Sequence, residues 1–311
     1  MTDFLQTLLD GIAVGSLYGL IALGYTMVYG ILKFINFAHS DVFMLGAWFS
    51  YLIARTAGWT AALPQSSIAA LLAPFLVMLL AMGLCGLLGF TIERLAYRPL
   101  RKAPRLNVLI TAIGVSLLLE NTGQLPILFG TQPQRMPPLL PDRTLLTFVG
   151  VDLHLVDLLV IALAVGLMLL LDRLVFHTKL GMAMRAVSYD TRVASLMGVP
   201  VDAVISFTFV LGSMLAAAAG FLFAAKYPGL NNPAHATWIL LGLKAFVAAV
   251  VGGVGNVRGA MIGGLMIGLL EFFGASYLSP HMKDVYVFSL LILVLLFRPT
   301  GVFGKTVVEK V

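Results

Sequence analysis

Long apolar runs alternate with short polar breaks along the whole of this 311-residue chain. Most runs approach the roughly 20 apolar residues that a helix needs to cross a bilayer. The pattern predicts an all-α polytopic membrane protein with about eight to ten spanning helices, in one domain over residues 1–311. The runs cover residues 7–32, 42–57, 67–92, 107–129, 154–176, 203–225, 236–254, 258–278 and 284–297.

Composition supports a membrane location. The chain is 60% hydrophobic and only 11% charged, whereas a soluble domain has about 45–50% apolar and about 25% charged residues. Such a chain cannot cover its surface with polar groups, so lipid is its main solvent. The net charge of +6 comes mostly from the polar breaks, which indicates membrane orientation rather than nucleic-acid binding. The single cysteine, Cys85, excludes an internal disulfide.

Three breaks are rich in basic residues: 93–105, 172–203 and the tail after Phe297. Because cytoplasmic loops carry an excess of Lys and Arg, we predict that these breaks and the C-terminus are cytoplasmic. The proline-rich break at 130–153 is predicted to lie outside. The N-terminus is then outside if 42–57 is one complete span, and inside if that region is re-entrant or the first run is split. The basic residues are Arg94, Arg98, Arg101, Lys102, Arg105, Arg173, Lys179, Arg185, Arg192, Arg298, Lys305 and Lys310.

Two glycine-rich stretches resemble nucleotide-binding loops but lack required residues. GVFGKT at 301–306 is preceded by Pro299 where a phosphate-binding loop needs glycine, and GGVGNVRG at 252–259 has Arg258 in place of the last glycine of a dinucleotide loop. The five histidines are scattered, without the spacing of metal ligands. We therefore expect no enzymatic activity, no metal and no cofactor bound by this chain.

Polar residues interrupt the apolar pattern in KFINFAHSDVFMLGAW, at residues 33–48. Asn36, His39, Ser40 and Asp41 have apolar sequence on both sides. Polar groups at membrane depth are costly and usually line a cavity or pair with each other. The segment is therefore either re-entrant beside a translocation path or a plain cytoplasmic turn between two spans.

A short amphipathic helix is predicted within GMAMRAVSYDTRVASLMGVP, at residues 181–200. Asp190 is a plausible N-cap, and Gly198 followed by Pro200 is a typical C-terminal stop. The helix has an apolar face and basic neighbours. It either lies on anionic lipid or docks into a groove on a soluble partner.

Three ionisable residues stand alone in apolar runs: Glu120, Lys244 and Glu271. Each either faces a pathway or pairs with another side chain inside the bundle.

The chain resembles the permease subunit of bacterial branched-chain amino-acid ABC importers, of the LivH type. The resemblance covers nearly the whole chain. Its second block is usually close to NFAHGE in the family; here Ser40 and Asp41 replace Gly and Glu, so an acid is kept, one methylene shorter. The blocks are GIAVGSLYGLIALGYTMVYGI at 11–31, INFAHSDVFMLGAW at 35–48, RAVSYDTRVASLMGV at 185–199, GLKAFVAAVVGGVGNVRGAMIGGLMIGLLE at 242–271 and RPTGVFG at 298–304.

The resemblance implies a machine of several subunits in the bacterial inner membrane. This chain would form the translocation path with a homologous second permease, similar to LivM. Two separate ATP-binding subunits would use the ATP, and a periplasmic binding protein would deliver leucine, isoleucine or valine. The helical arrangement would be closer to the vitamin B12 importer type, called type II, than to the maltose type.

The resemblance and the polar residues within the runs together identify two candidate sites. The first is a set near the substrate pathway: Asn36, His39, Ser40, Asp41, Glu120 and Lys244. The second is a coupling helix at about 185–199 that receives the ATPase stroke, with Arg185, Asp190, Val193, Ala194, Leu196 and Gly198.

Two other functions remain open from the sequence. The same machine could import urea, amides or other amino acids. Alternatively, the chain could be an ion-driven secondary transporter that uses Glu120, Asp157 or Glu271 as a proton or sodium site.

Overall fold

Nine long helices form the body of the protein in the computed structural model, which describes residues 2–59, 68–101, 103–140, 144–148 and 151–304. Each helix coincides with one of the nine apolar runs, so the predicted all-α class is confirmed. The long helices are α1 (Thr2–Leu32), α2 (His39–Thr56), α3 (Ile68–Ile92), α4 (Arg105–Gly123), α5 (Leu155–His177), α8 (Val201–Lys226), α9 (Ala236–Gly252), α10 (Val257–Tyr277) and α11 (Lys283–Phe297).

Seven helices in the described ranges are long and apolar enough to cross a membrane. The other two of the nine long helices do not meet these criteria of length and hydropathy, for different reasons. Helix α9 is apolar but has 17 residues, and α2 begins with three polar residues, His39, Ser40 and Asp41. Both helices pack against α1 and against each other inside the bundle, so the polar start of α2 is not exposed to lipid.

The remaining elements are short and lie at the two ends of the bundle. Helix α3 continues through a π-helical turn and a 3-10 turn to Leu100. Two small helices, α6 and α7, connect α5 to α8. The short elements are the turns Glu93–Tyr97, Arg98–Leu100 and Pro280–Met282, helices α6 (Lys179–Tyr189) and α7 (Thr191–Leu196), and strands β1 (Gln134–Arg135), β2 (Thr144–Phe148), β3 (Val151–His154) and β4 (Gly229–Leu230).

Helix α1 is the centre of the packing. It contacts α5, α8, α9 and α10 and is almost wholly buried. The closest approach is to α10, where a Cβ built on Gly268 would lie 2.4 Å from the Cα of Gly15. Small residues let membrane helices approach until their backbones touch, and this gains dispersion energy where lipid supplies no hydrophobic drive.

One end of the bundle is basic. Arg98 and Arg101 pair with Asp202 at the start of α8, and Arg258 bonds Asp172 at the end of α5, with Nε to Oδ1 at 2.8 Å. The C-terminal segment also packs here, because the amide of Val302 donates to the carbonyl of Val251. We call this the basic end. It holds the described parts of all three breaks predicted to be cytoplasmic; Lys102, Lys305 and Lys310 lie outside the described residues.

The opposite end carries the described part of the proline-rich break, and we call it the proline-rich end. Strand β1 pairs antiparallel with β4, and β2 pairs antiparallel with β3. The amide of Asp152 donates to Gln6 Oε1 in the first turns of α1. Residues 141–143 and 149–150 of this break lie outside the described residues. The start of α1 and the end of α11 are therefore at opposite ends of the bundle.

Candidate functional site

The polar segment at residues 33–41 folds back into the bundle. Lys33 adopts a left-handed conformation, with φ of 58°, and reverses the chain at the end of α1. Helix α2 then begins at His39, whose ring lies against Gly24. Gly24 precedes the end of α1 by eight positions, or about 12 Å at 1.5 Å per residue. Residues 36 and 38–41 are buried, so the segment is re-entrant rather than a turn at the surface.

Helix α2 crosses the rest of the bundle and ends at the proline-rich end. There Tyr51 donates to Gln134 Oε1 at 2.9 Å. Helix α1 runs from the proline-rich end to the basic end, and α2 returns to the proline-rich end. From there each later long helix runs in the direction opposite to the long helix before it. This geometry places the start of α1 and the segment after α11 at opposite ends of the bundle.

Two of the predicted pathway residues in this segment, Asn36 and Ser40, have hydrogen-bond partners in the protein. Tyr97, in the π-helical turn after α3, donates to Asn36 Oδ1 at 2.6 Å. Ser40 donates to the carbonyl of Phe37 at 3.0 Å and packs against Gly242 of α9. These contacts hold the re-entrant segment between α3 and α9.

His39 is buried, but its ring does not make all of its possible hydrogen bonds. Its ring makes an edge contact with Tyr25, with centroids 4.7 Å apart. Its Nε2 atom has no hydrogen-bond partner among the described residues. Gly24 is required beside it, because a Cβ at that position would lie 2.1 Å from Nε2.

Asp41 lies beside a second acid. Its side chain faces Ser116 and Glu120 of α4, yet neither carboxylate oxygen has a partner in hydrogen-bond geometry within the described chain. Both acids are buried, with Asp41 1% and Glu120 6% exposed. The structure therefore brings together Glu120 and the polar start of α2, which are far apart in sequence.

Lys244 lies apart from this group. Gly242 faces Ser40, and two positions further round α9 the Lys244 side chain points towards α10 and α11. Its Nζ lies 2.7 Å from Glu271 Oε1 and 2.6 Å from Asp284 Oδ1. Tyr18 of α1 donates to the other Glu271 oxygen at 2.7 Å. These four residues form a closed ionic network across four helices.

A further charged cluster lies at the proline-rich end and was not predicted. Lys226 pairs with Asp10 and Asp157 beside a cavity of about 710 Å³ that is also lined by Arg135 and Tyr227. Asp10, Asp157 and Lys226 each lie near the edge of a different apolar run. A single sequence carries no signal that these edges meet.

The predicted coupling helix consists of two helices in the structure. Residues 185–189 end α6, and α7 begins at Thr191. Asp190 separates them because its Oδ1 accepts from the amides of Arg192 and Val193, at 2.8 and 2.9 Å. The N-cap predicted from sequence is therefore present. It also marks the end of the preceding helix, which the range 185–199 did not anticipate.

Gly198 ends α7 as expected. Its φ is +81°, and the amide of Val199 donates to the carbonyl of Ala194 at 3.0 Å. This bond to a carbonyl five positions earlier is typical of a glycine-terminated helix.

The outer face of α7 exposes large apolar side chains beside Arg192. Leu196 is 86% exposed and Val193 more than half exposed, whereas Ala194 is buried against the bundle. The adjacent Tyr189 is 95% exposed. Arg185 lies over the ring of Phe176, 5.5 Å from its centroid, and anchors the end of α6. The segment at 185–199 thus presents apolar side chains outward from the bundle at its basic end.

No group of three or more His, Cys, Asp or Glu residues in the described ranges could hold a metal ion.

These features define a class of protein: a polytopic membrane protein with a buried polar segment between its helices and an exposed apolar helix at one end. Comparisons with known proteins identify the family. The model of the permease component of branched-chain amino acid transport systems matches residues 7–295. The chain therefore belongs to this family.

Two relatives are similar over almost their whole length. The chain is 41% identical to the high-affinity branched-chain amino acid transport system permease protein BraD of Pseudomonas aeruginosa, over 99% of this chain and 98% of the relative. It is 40% identical to the corresponding LivH of Escherichia coli K12, with the same coverage. Among solved structures, PsaBC from Streptococcus pneumoniae in complex with Fab matches with a TM-score of 0.47 and 13% identity, over 96% of this chain and 93% of that chain.

Proposed function

We propose that this chain is the transmembrane permease of an ATP-binding-cassette importer for leucine, isoleucine and valine. The observation that supports this most strongly is family membership over nearly the full length, with about 40% identity to BraD and LivH. In the proposed machine the chain forms the translocation path together with a second, homologous permease. In this proposal the helices have the type II arrangement of the vitamin B12 importer.

The energy source in this proposal is a pair of separate ATP-binding subunits that dock on α7. Supporting evidence is the exposed apolar surface of Val193 and Leu196 at the end of the bundle where the basic breaks collect. Interface cores are apolar and have few charges. The α7 helix is joined directly to α8, so movement of the docked subunit would be transmitted into a buried helix. ATP would be used only by those partners.

The pathway in this proposal runs beside the re-entrant segment, near His39, Asp41 and Glu120. Supporting evidence is the burial of three ionisable side chains in mid-bundle with no basic partner among the described residues. Lys244 is engaged with Glu271 and Asp284, so its proposed role is to hold α9, α10 and α11 together. The family membership does not favour an ion-driven mechanism, and two of its three candidate residues, Asp157 and Glu271, are paired with lysines.

Uptake of labelled leucine tests the proposal. A strain of the source organism that lacks this chain should lose high-affinity uptake, and the restored gene should return it. Unlabelled isoleucine and valine should compete, whereas urea should not. Depleting ATP should stop uptake, but collapsing the ion gradient while ATP is maintained should not.

Purification of the tagged chain from its native membrane supplies a second measurement. Two ATPase polypeptides and a second permease should co-purify. Recovery of the chain alone, together with uptake that persists without ATP, would disprove the proposal.

A further inference from the structure

Four carboxylates are buried in the described part of the chain, and two of them have a basic partner. Glu93 pairs with Arg101, and Glu271 pairs with Lys244. The other two, Asp41 and Glu120, interact with each other, and Asp41 also interacts with Ser116 of α4 and with the hydroxyl groups of Tyr25 and Tyr97. No ion pair with a lysine, arginine or histidine of the described residues compensates either acid.

A buried carboxylate without a counter-charge is costly, because it loses its hydration and gains nothing in return. Two acids side by side repel each other as well. The acid pair therefore needs a cation from outside this chain: a proton or a cationic ligand. The site is therefore suited to receive positive charge inside the bundle.

The surroundings favour a ligand rather than a closed structural contact. Both oxygens of Asp41 lack hydrogen-bond partners within the described chain, and so does the indole Nε1 of Trp48. Seven positions separate these two residues, which places them on the same face of α2, about 10 Å apart along the helix. A buried polar atom in a folded protein is normally paired. Three unpaired atoms of two side chains on one face indicate a route that a polar molecule occupies.

Helix α4 covers this face and is loosely held. It packs chiefly on α2 and the π-helical end of α3, and its outer side chains, including Ile113 and Leu117, are exposed. A Cβ at Gly114 would meet nothing within 4 Å. Movement of α4 would therefore open the acid pair without breaking the buried centre around α1.

We propose that Asp41 and Glu120 together bind the α-ammonium group of the amino-acid cargo as it passes the centre of the membrane. This inference rests on the proposed function, which supplies a cationic group of the right chemistry. The ammonium group donates three hydrogen bonds, and its charge offsets the repulsion between the two carboxylates. The permease thereby selects molecules that carry an ammonium group, independently of the side chain.

Neutral isosteres test the inference in the complete importer. Asp41→Asn and Glu120→Gln keep the shape but remove the charge, and Asp41→Glu keeps the charge. Each neutral variant should lower the maximal rate of leucine uptake about 10-fold or more, since removing one partner of a buried charged hydrogen bond leaves the other charge buried and unpaired. Asp41→Glu should retain a substantial part of the rate. Asp3→Asn, at the exposed start of α1, is the matched control. A wild-type rate in either neutral variant would overturn the inference.

A labelling experiment separates this inference from the proposed function. Ser116→Cys places a thiol beside the pair, and the native Cys85 is buried, so the unmodified chain supplies the blank. A methanethiosulfonate reagent carrying an ammonium group should react faster than one carrying a sulfonate group, and the ratio should fall towards one when both acids are neutralised.

Equal rates with the two reagents, or no reaction with either, would contradict a cation-binding site, whatever the cargo. By contrast, failure of leucine uptake in the wild-type importer, with the charge-selective labelling intact, would refute the proposed cargo and leave the acid pair as a site for another ammonium compound.

Discussion

At the scale of single residues, burial has two distinct outcomes for polar side chains. Lys244, Glu271 and Tyr18 satisfy one another across three helices. His39 and Asp41 are equally buried, yet His39 Nε2 and both Asp41 oxygens lack partners within the described ranges. The first group contributes cohesion, because its charges are compensated. The second group retains unused capacity to bind, which is what a transport path requires.

Removing Lys244 should destabilise the bundle rather than alter cargo selection. Lys244→Met leaves Glu271 and Asp284 without their cation, and breaking a buried pair in this way costs about 3–5 kcal/mol. We expect a lower thermal unfolding midpoint in detergent. Lys283→Met, at an exposed position at the start of α11, should leave the midpoint unchanged. The combined change Lys244→Met and Glu271→Leu should recover part of the loss; no recovery would show that the network is not a unit.

Gly46 should tolerate no side chain, whereas Gly114 should. A Cβ at Gly46 would lie 2.4 Å from the Cα of Ala217, so α2 and α8 would have to separate. Gly114 has open space and sits inside a helix, where alanine is favoured by up to about 1 kcal/mol. Gly46→Ala should therefore reduce the yield of folded protein and its thermal midpoint, and Gly114→Ala should preserve or raise both. Equal behaviour of the two variants would contradict the packing of α2 on α8.

At the scale of elements, the positions of the long helices were predictable and their interactions were not. All nine apolar runs became helices because lipid forces every buried backbone group into a local hydrogen bond. The pairing of Tyr18 with Glu271 spans 253 positions, and no local pattern encodes such a contact. The same limit applies to Glu120 and Asp41, whose proximity depends on how α4 crosses α2.

The division at Asp190 shows a different limit. The cap and the stop of α7 were both predicted, because capping is local chemistry. The helix before it, α6, extends to Tyr189 and packs on α5, α1 and α8, and such contacts between distant segments have no local signal. The apolar residues of this segment have the same spacing whether it forms one helix or two, so periodicity alone could not locate the break.

Replacing Gly198 should weaken coupling and spare insertion. Its φ of +81° is a conformation that costs a residue with a Cβ about 1–2 kcal/mol, and a Cβ would otherwise meet nothing within 4 Å. Gly198→Val should therefore displace the end of α7 and lower ATPase stimulation by the loaded binding protein. Gly198→Asn should be milder, since asparagine tolerates this conformation. Membrane levels on immunoblots should match the wild type in both. Undiminished stimulation in Gly198→Val would argue against α7 as the docking helix.

At the scale of the whole molecule, charge and connectivity give the same orientation. The basic end collects Arg94, Arg98 and Arg101 from one break, and further basic residues from α6, α7 and α10. The described part of the proline-rich break holds one basic residue, Arg135, near the ion pairs of Lys226. Cytoplasmic loops carry the excess of Lys and Arg. The basic end is therefore expected in the cytoplasm, where ATP-binding subunits can reach α7.

Cysteine labelling in intact spheroplasts tests this orientation, because the native Cys85 is buried. Ile127, just after α4 at the proline-rich end, is 88% exposed, and Tyr189 at the basic end is 95% exposed. A membrane-impermeant maleimide should label Ile127→Cys directly and Tyr189→Cys only after permeabilisation. Since every helix between these positions has a defined direction, two sites fix all the others, including an external N-terminus and a cytoplasmic C-terminus. Labelling of both cysteines from the same side could not be reconciled with the re-entrant path of residues 33–41 and the alternation that follows from it.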